Sequence, residues 1–127
     1  MKVLLDTHVF LWAILDDPRL SEVHAKEFLN SENELFLSTA SFWESIIKSG
    51  LGKLPLPRPA AKFLLKEMQR NRVSMLPILS SHLIELETIP PVHRDPFDRM
   101  LVAQARSERM LLLSEDSAMK TYDVPLL

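Results

Sequence analysis

The chain has 127 residues, 46% of them hydrophobic and 25% charged, a composition that excludes a disordered chain and suits one domain with its own core. The formal net charge of −2 lacks the excess of positive charge common in nucleic-acid-binding proteins. The absence of cysteine excludes disulfides and thiolate metal sites, and the apolar run that ends at Asp6 is too short for a signal peptide. We therefore expect a single domain over residues 1–127, cytoplasmic and without a membrane span.

Short apolar runs alternate with helical segments in the first half of the chain. Apolar runs predict strands at 3–5 and 35–38, because such runs are typical of buried parallel strands. Helices are expected at 9–15, from the cap Ser21 to about residue 30, and at 40–49, where Gly50 would be the residue just beyond the helix end.

The second half begins with a loop over 51–59, which contains three prolines. A helix at 60–70, a strand at 73–78 and a short helix from Ser80 follow, and residues 90–94 form a rigid loop. Asp95-Pro96 opens a helix to about 109, a strand covers 110–113, a helical turn starts at Ser114, and 124–127 forms a fifth, edge strand. This alternation predicts an α/β fold whose mostly parallel central sheet of about four to five strands is flanked by helices.

Four acidic residues follow the predicted strands. Asp6 ends the first strand, Glu44 lies early in the helix after the second, Asp98 lies in the first turn of the long helix, and Asp116 follows the fourth strand. Ligands bind outside the carboxyl ends of the strands in open parallel sheets. All four carboxylates can therefore face one crevice.

Local explanations exist for most of these acids. Ser41 and Glu44 have the spacing of a capping box, and Asp98 and Asp116 suit the positive ends of helix dipoles. Asp95 before Pro96 is a good helix cap, whereas Asp6 at a strand end has no such explanation. The structural alternative requires separate acids to reach the same end of one sheet by coincidence.

Clustered carboxylates repel one another, and a divalent cation removes that repulsion. Oxygen ligands favour magnesium or manganese over zinc. His8, His24, His82 and His93 show no zinc-binding spacing and are expected to be structural or exposed, with His93 of most interest because it is close to Asp95. With only two glycines, the chain has no glycine-rich phosphate loop. Trp12 and Trp43 could stack on bases, but their helical spacing favours core positions.

With these residues in view, four blocks in order resemble the PIN-domain family, and within it the VapC-type toxins of bacterial toxin–antitoxin pairs. The similarity covers nearly the whole chain. The blocks are Leu4-Leu5-Asp6-Thr7-His8, Ser41-Phe42-Trp43-Glu44 with Ile47-Lys48 and Leu51-Gly52-Lys53-Leu54, His93-Arg94-Asp95-Pro96-Phe97-Asp98-Arg99 with Ala103-Gln104-Ala105, and Leu112-Leu113-Ser114-Glu115-Asp116. The closing segment fits except at Asp123, where glycine is commoner.

The resemblance implies an endoribonuclease that hydrolyses RNA phosphodiester bonds through a metal-activated water, with Mg²⁺ or Mn²⁺ as cofactor. Its expected partners are an RNA substrate, a cognate antitoxin protein and, often, a second copy in a homodimer. The expected catalytic set is Asp6, Glu44, Asp98 and Asp116; the metal ligands are Asp6, Asp98 and Asp116; and Thr7, Asp95 and Ser114 are supporting residues.

Two rival interpretations use the same acids: a metal-dependent phosphatase or DNA nuclease, and a binding module whose carboxylates hold a structural cation. A further hypothesis concerns the antitoxin. The first helix is more apolar than one buried face requires, so it could receive an amphipathic helix together with the second helix; the alternative is ordinary core. The residues in question are Phe10, Leu11, Trp12, Ile14, Ala25, Phe28 and Leu29.

Overall fold

The computed structural model describes residues 1–91 and 95–127. Val92, His93 and Arg94 lie outside the described residues. The rigid loop predicted at 90–94 therefore lies partly outside the described residues, and His93, which the sequence singled out, lies wholly outside them.

A parallel sheet forms the centre of the molecule. Its strands are β1 (Lys2–Leu5), β2 (Glu34–Ser38), β3 (Val73–Leu76) and β4 (Leu111–Leu113), in the spatial order β3-β2-β1-β4. Every pairing is parallel, and Leu4 of β1 is opposite Phe36 of β2 and Leu112 of β4. Parallel strands buried on both faces require such apolar sequences. The predicted α/β class with a parallel central sheet is confirmed.

Helices cover both faces of this sheet. Within the described residues they are α1 (Thr7–Ile14), α2 (Glu22–Leu29), α3 (Thr39–Gly50), α4 (Ala60–Arg70), α5 (Ser80–Glu87), α6 (Pro96–Glu108) and a 3-10 helix (Ser117–Thr121). Successive side chains of β1 enter different cores, as the two-residue period of a strand requires. Val3 and Leu5 join one apolar cluster with α1 and α4, whereas Leu4 joins the other with α6.

Several predicted boundaries are wrong. The predicted third strand ends at Leu76, before Pro77, which cannot donate to a strand ladder. The predicted fifth strand is reduced to an isolated parallel bridge between Leu112 and Leu126. Gly50 is the last residue of α3, and the left-handed conformation that favours glycine occurs at Gly52, with φ of 75°.

The capping box predicted at Ser41 and Glu44 is also wrong. Helix α3 begins after Ser38, whose side chain accepts a hydrogen bond from the Ala40 N–H. Glu44 therefore lies in the second turn, too far along the helix to reach the unpaired N–H groups of its start. The local explanation for this glutamate is removed.

The α1 surface proposed for an antitoxin is mostly core. Phe10, Leu11 and Phe28 are buried in the apolar cluster beside β1. Trp12 is only half-buried, and Leu29 is exposed. The excess of apolar residues on α1 is therefore largely explained by packing. Among the described residues, no helix is long and apolar enough to cross a membrane.

Candidate active site

Asp6 is a buried carboxylate at the end of β1. It occupies the N-cap position of α1, yet its side chain does not cap that helix. It is 2% exposed, and its Oδ2 accepts a hydrogen bond of 2.6 Å from the Ser114 hydroxyl. Its Oδ1 has no hydrogen-bond partner in the described part of the chain. A buried polar atom without a partner is uncommon and points to a missing ligand.

Ser114 reaches Asp6 because β1 and β4 are neighbours in register. Leu5 is paired with Leu113, and the Asp6 N–H donates to the Leu113 carbonyl at 2.9 Å. The Ser114 hydroxyl also accepts from the Asp116 N–H at 3.0 Å. One hydroxyl thus connects the Asp6 carboxylate to the backbone of Asp116. The Asp116 carboxylate in turn accepts from the Ala118 N–H at 2.9 Å, at the start of the 3-10 helix.

Glu44 is the second buried carboxylate of the site. Its side chain is 5% exposed, and its Oε2 lies 3.0 Å from the Lys48 ammonium, one helical turn further along α3. Its Oε1, like Oδ1 of Asp6, has no hydrogen-bond partner among residues 1–91 and 95–127. Lys48 therefore compensates one side of this carboxylate only.

A hydroxyl pair fixes the two helices that carry these acids. Thr7 Oγ1 donates to Ser41 Oγ at 2.8 Å, and both side chains are buried. This bond joins the start of α1 to the first turn of α3. Burial raises the pKa of Asp6, and the negative charge of Glu44 raises it further, against the opposing effects of the Ser114 hydrogen bond, His8 and the Thr7 N–H. A neighbouring cation would offset both the burial of the Asp6 carboxylate and its repulsion by Glu44.

The remaining two acids lie at the start of α6. Asp95 caps the helix as predicted, since its Oδ1 accepts from the Phe97 N–H at 2.9 Å and from the Asp98 N–H at 3.4 Å. Asp98 is half-buried in the first turn. The rings of Phe97 and Trp43 meet edge to face, with centroids 5.4 Å apart. This contact packs the first turn of α6 against the helix that carries Glu44.

Asp6 and Asp116 line one cleft of about 290 Å³, with His8, Trp12, Arg19 and Glu115. In the described ranges, no group of three or more histidine or acidic side chains is close enough to hold a metal ion. Asp6, Asp98 and Asp116 therefore remain a predicted ligand set. Four buried side-chain atoms lack a hydrogen-bond partner among residues 1–91 and 95–127: Asp6 Oδ1, Glu44 Oε1, Arg99 Nε and Gln104 Oε1. The residues nonetheless fit a hard divalent cation, because Asp6 and Glu44 each offer a buried carboxylate oxygen.

Three further residues organise this site, although the sequence predicted no role in it for them: Ser41, Lys48 and Glu115. Lys48 could have been found from its position four residues after Glu44, a spacing that pairs opposite charges on a helix. Glu115 accepts from the Ser21 N–H at 2.9 Å and contacts His24 Nδ1 at 2.7 Å. Burial alone would raise the pKa of Glu115, but these hydrogen bonds hold it below its usual value. They tie the loop before Asp116 to α2, a pairing that no spacing predicts.

Comparison with known families agrees with the fold. The model of the PIN domain matches residues 3–125. The chain belongs to the PIN domain family. A segment of 50 residues is 42% identical to Ribonuclease VapC16 of Mycobacterium tuberculosis, and it covers 39% of this chain and 36% of that protein.

Solved structures support the PIN fold over the whole chain. The structure of VapBC2 from Rickettsia felis bound to a DNA fragment from its promoter matches with a TM-score of 0.73 and 15% identity, covering 100% of this chain and 98% of that one. The structure of DNA-bound VapBC from Salmonella typhimurium matches with a TM-score of 0.72 and 17% identity, covering 100% of this chain and 97% of that one. The structure of FitAcB from Neisseria gonorrhoeae matches with a TM-score of 0.64 and 20% identity, covering 98% of this chain and 96% of that one. At these identities the similarity shows the fold alone.

Proposed function

We propose that this PIN domain is a metal-dependent endoribonuclease and the toxin of a toxin–antitoxin pair. The observation that carries the proposal is a pair of buried carboxylate oxygens, Asp6 Oδ1 and Glu44 Oε1, that have no partner in the part of the chain that the structure describes. Buried carboxylates of like charge are unfavourable unless a cation compensates them. Helix capping does not account for the burial of either carboxylate, because the Asp6 side chain does not cap α1 and Glu44 does not cap α3.

Asp6, Asp98 and Asp116 are the proposed ligands of Mg²⁺ or Mn²⁺, with Glu44 beside them. Such a cation, when bound, would polarise the scissile phosphate and favour ionisation of the attacking water. Oxygen-only donors favour these two cations over zinc. The chain's contribution is to hold the carboxylates in place before the cation arrives, through Ser114 on Asp6 and the Thr7–Ser41 bond between helices.

Glu44 is the proposed general base. Its Oε2 is held by the Lys48 ammonium, which leaves Oε1 as the atom that accepts a proton from the attacking water. The water oxygen attacks phosphorus as its proton passes to Glu44, the bond between phosphorus and the 3′-oxygen breaks, and the leaving 3′-oxygen takes up a proton from solvent. Because an external water attacks rather than the 2′-hydroxyl, the products carry a 5′-phosphate and a 3′-hydroxyl.

Names of similar proteins support the choice of substrate and partner. The relative from M. tuberculosis is called a ribonuclease. Structural neighbours include a toxin–antitoxin complex from Klebsiella pneumoniae, with a TM-score of 0.64 and 13% identity. We propose by analogy that this chain cleaves RNA in the cytoplasm, binds a cognate antitoxin and forms homodimers.

The experiment that tests this function offers the purified chain three substrates: end-labelled single-stranded RNA, the same sequence as DNA, and a chromogenic phosphate monoester. Each is incubated with Mg²⁺ or Mn²⁺ and with excess EDTA, beside an Asp98→Asn control. We expect cleavage of RNA alone, dependent on metal, with 5′-phosphate ends. Equal cleavage of DNA or turnover of the monoester alone would favour the rival enzymes, and no turnover of any substrate would favour a binding module.

The partner is tested in the cell. A short reading frame that adjoins the gene for this chain would encode the proposed antitoxin. We expect induction of this chain to arrest growth, co-expression of that frame to restore it, and the two products to co-purify. Growth arrest by the Asp98→Asn variant as well would argue against toxicity through RNA cleavage.

A further inference from the structure

A groove runs from the carboxylates across α1. The cleft at Asp6 and Asp116 shares His8, Trp12 and Arg19 with a second cavity of about 380 Å³. We call the surface formed by His8, Trp12, Arg19, Lys48 and Lys53 the α1 groove. Leu11, Leu15, Asp17, Leu54 and Pro55 complete the lining of the second cavity. The groove thus has carboxylates at one end and lysines at the other.

Trp12 provides an aromatic surface in this groove. It is half-buried, unlike its core neighbours Phe10 and Leu11. His8, one helical turn earlier and exposed, places its ring centroid 5.6 Å from the Trp12 ring at 37°. The Arg19 guanidinium carbon lies 5.0 Å from the centroid of the same ring. An indole, an imidazole and a guanidinium group are the side chains on which nucleic-acid bases stack.

Arg19 is held in position before any ligand binds. Its Nε and Nη2 donate to the two carboxylate oxygens of Asp17, at 3.1 Å and 2.8 Å. The Arg19 N–H donates to Asp17 as well, at 2.9 Å. A side chain fixed in this way loses little conformational entropy when a ligand contacts it.

Neighbouring carboxylates partly compensate the positive charge of the groove. Arg19 is paired with Asp17, and Lys48 with Glu44. Lys53 is exposed, and its backbone N–H donates to the Lys48 carbonyl at 2.9 Å. A phosphate ligand would therefore meet two neighbouring lysines, one of them shared with the active-site glutamate. This distribution suits a few phosphates rather than a long duplex backbone.

We propose that the α1 groove binds the RNA strand next to the scissile phosphate, with one unpaired base stacked on Trp12 and the adjoining phosphates near Lys48 and Lys53. The inference rests on the proposed function and adds the residues that position its substrate. Stacking requires an accessible base face, which a duplex does not offer. The groove should therefore prefer single-stranded over double-stranded RNA and tolerate many sequences. Trp12 is a positioning residue and takes no part in the chemistry.

The two tryptophans of the chain allow a direct test by fluorescence. In an Asp98→Asn background that keeps the strand intact, Trp43→Phe leaves Trp12 as the single reporter, and Trp12→Phe leaves Trp43. An octanucleotide of single-stranded RNA is titrated into each protein in Mg²⁺ buffer, and its binding is followed in parallel by anisotropy. We expect saturable quenching of Trp12 and little change of Trp43. Binding without quenching of Trp12, or absence of binding, overturns the proposal.

Affinity gives a second measurement. Trp12→Ala should weaken RNA binding about tenfold or more, the range of a lost base stack, whereas Trp12→Phe should retain much of it. Lys53→Gln should lower the slope of log affinity against log salt by about 0.7, the effect of one lost phosphate contact on a single strand. Lys26→Gln is the matched control, because Lys26 is exposed on α2 and outside the groove. Equal effects of the two lysine changes would contradict a phosphate contact at Lys53.

The outcomes separate this inference from the proposed function. Metal-dependent cleavage by the wild-type chain without Trp12 quenching would support the proposed nuclease activity and contradict RNA binding in the α1 groove. Quenching of Trp12 without cleavage by the wild-type chain would support RNA binding in the α1 groove and contradict the proposed nuclease activity. If the antitoxin quenches Trp12 and RNA does not, the groove is a protein-docking surface and the proposal is wrong.

Discussion

Buried His82 and the buried acids Asp6 and Glu44 differ in how completely their own hydrogen bonds are satisfied. His82, fully buried on α5, accepts from the Leu79 N–H through Nδ1 at 3.0 Å and therefore donates through Nε2 to Glu108 at 2.7 Å. Asp6 and Glu44, nearly as deeply buried, each retain a carboxylate oxygen without a partner in the described chain. Both ring nitrogens of His82 have partners, although Oε1 of the neighbouring Gln104 has none among the described residues. The two acids differ from His82 because each keeps one oxygen that a ligand could complete.

This difference predicts opposite consequences of substitution. Changes at the acidic end of the sheet should abolish activity at little cost to stability. Changes at a satisfied polar residue should lower stability while each folded molecule keeps its activity.

The largest expected effect separates two neighbouring acids. Asp98→Asn should reduce RNA cleavage about a hundredfold or more, in line with loss of a residue that serves a metal site, and should fold normally. Asp95→Asn should retain partial activity, because asparagine caps a helix about as well as aspartate. Cleavage rates and melting temperatures of the two variants, measured side by side, check this. If Asp95→Asn is as inactive as Asp98→Asn, then Asp95 belongs to the catalytic set.

The next effect is on stability. His82→Leu removes a partner from the Leu79 N–H, the Gln104 amide and the Glu108 carboxylate, and it should lower the free energy of unfolding by about 1–3 kcal/mol. Cleavage per folded molecule should not change. Urea denaturation and the cleavage rate measure the two quantities, with Ser81→Ala, at an exposed position on the same helix, as the control. A loss of activity in molecules shown to be folded would contradict a purely structural His82.

Loss of a helix cap should cost less. Asp95→Ala removes the acceptor of the Phe97 and Asp98 N–H groups and should lower the free energy of unfolding by about 1 kcal/mol. Asp95→Asn should leave it nearly unchanged. A cost for alanine no greater than that for asparagine in thermal or urea unfolding would show that the cap contributes nothing.

The smallest effect is a dependence of stability on pH in metal-free protein. Burial raises the pKa of Asp6 above its ordinary value of 3.8, so the folded state binds the proton more tightly than the unfolded state does. Below pH 3.8 both states are protonated; as pH rises through the folded pKa, this contribution to stability is lost. Asp6→Asn should therefore match the wild type at low pH and exceed its stability near neutrality. Urea unfolding between pH 3 and 7 tests this, and a gain largest at low pH would be the wrong sign.

Much of the fold could be predicted from the sequence because its signals are local. Apolar runs mark the strands at Val3 and Leu35, and the Asp95-Pro96 pair marks the start of α6. Boundaries were wrong where tertiary context decides them: Ser38 rather than a later residue caps α3, and Gly50 stays within the helix. The closing segment forms only a bridge to β4.

The position of Asp6 and Asp116 on one cleft could be predicted because strand ends meet at one edge of a parallel sheet. The catalytic set itself stays a prediction. The residues that hold these two acids could not be predicted, since the contacts join distant parts of the chain. Ser114 reaches Asp6 across 108 residues, and Glu115 reaches His24 across 91. Trp12 shows a further limit, because helical spacing favoured a core position and the folded chain leaves it half-buried in a groove.

The most direct test of the account is RNA cleavage by chelator-treated protein as Mn²⁺ is returned in increasing concentration. We expect no cleavage in EDTA, saturable recovery in the wild type, and recovery at least about a hundredfold weaker in Asp6→Asn. Cleavage at the full rate by wild-type protein in excess chelator would contradict the claim that Asp6 at the end of β1 and Glu44 in α3 belong to a cation-dependent catalytic site.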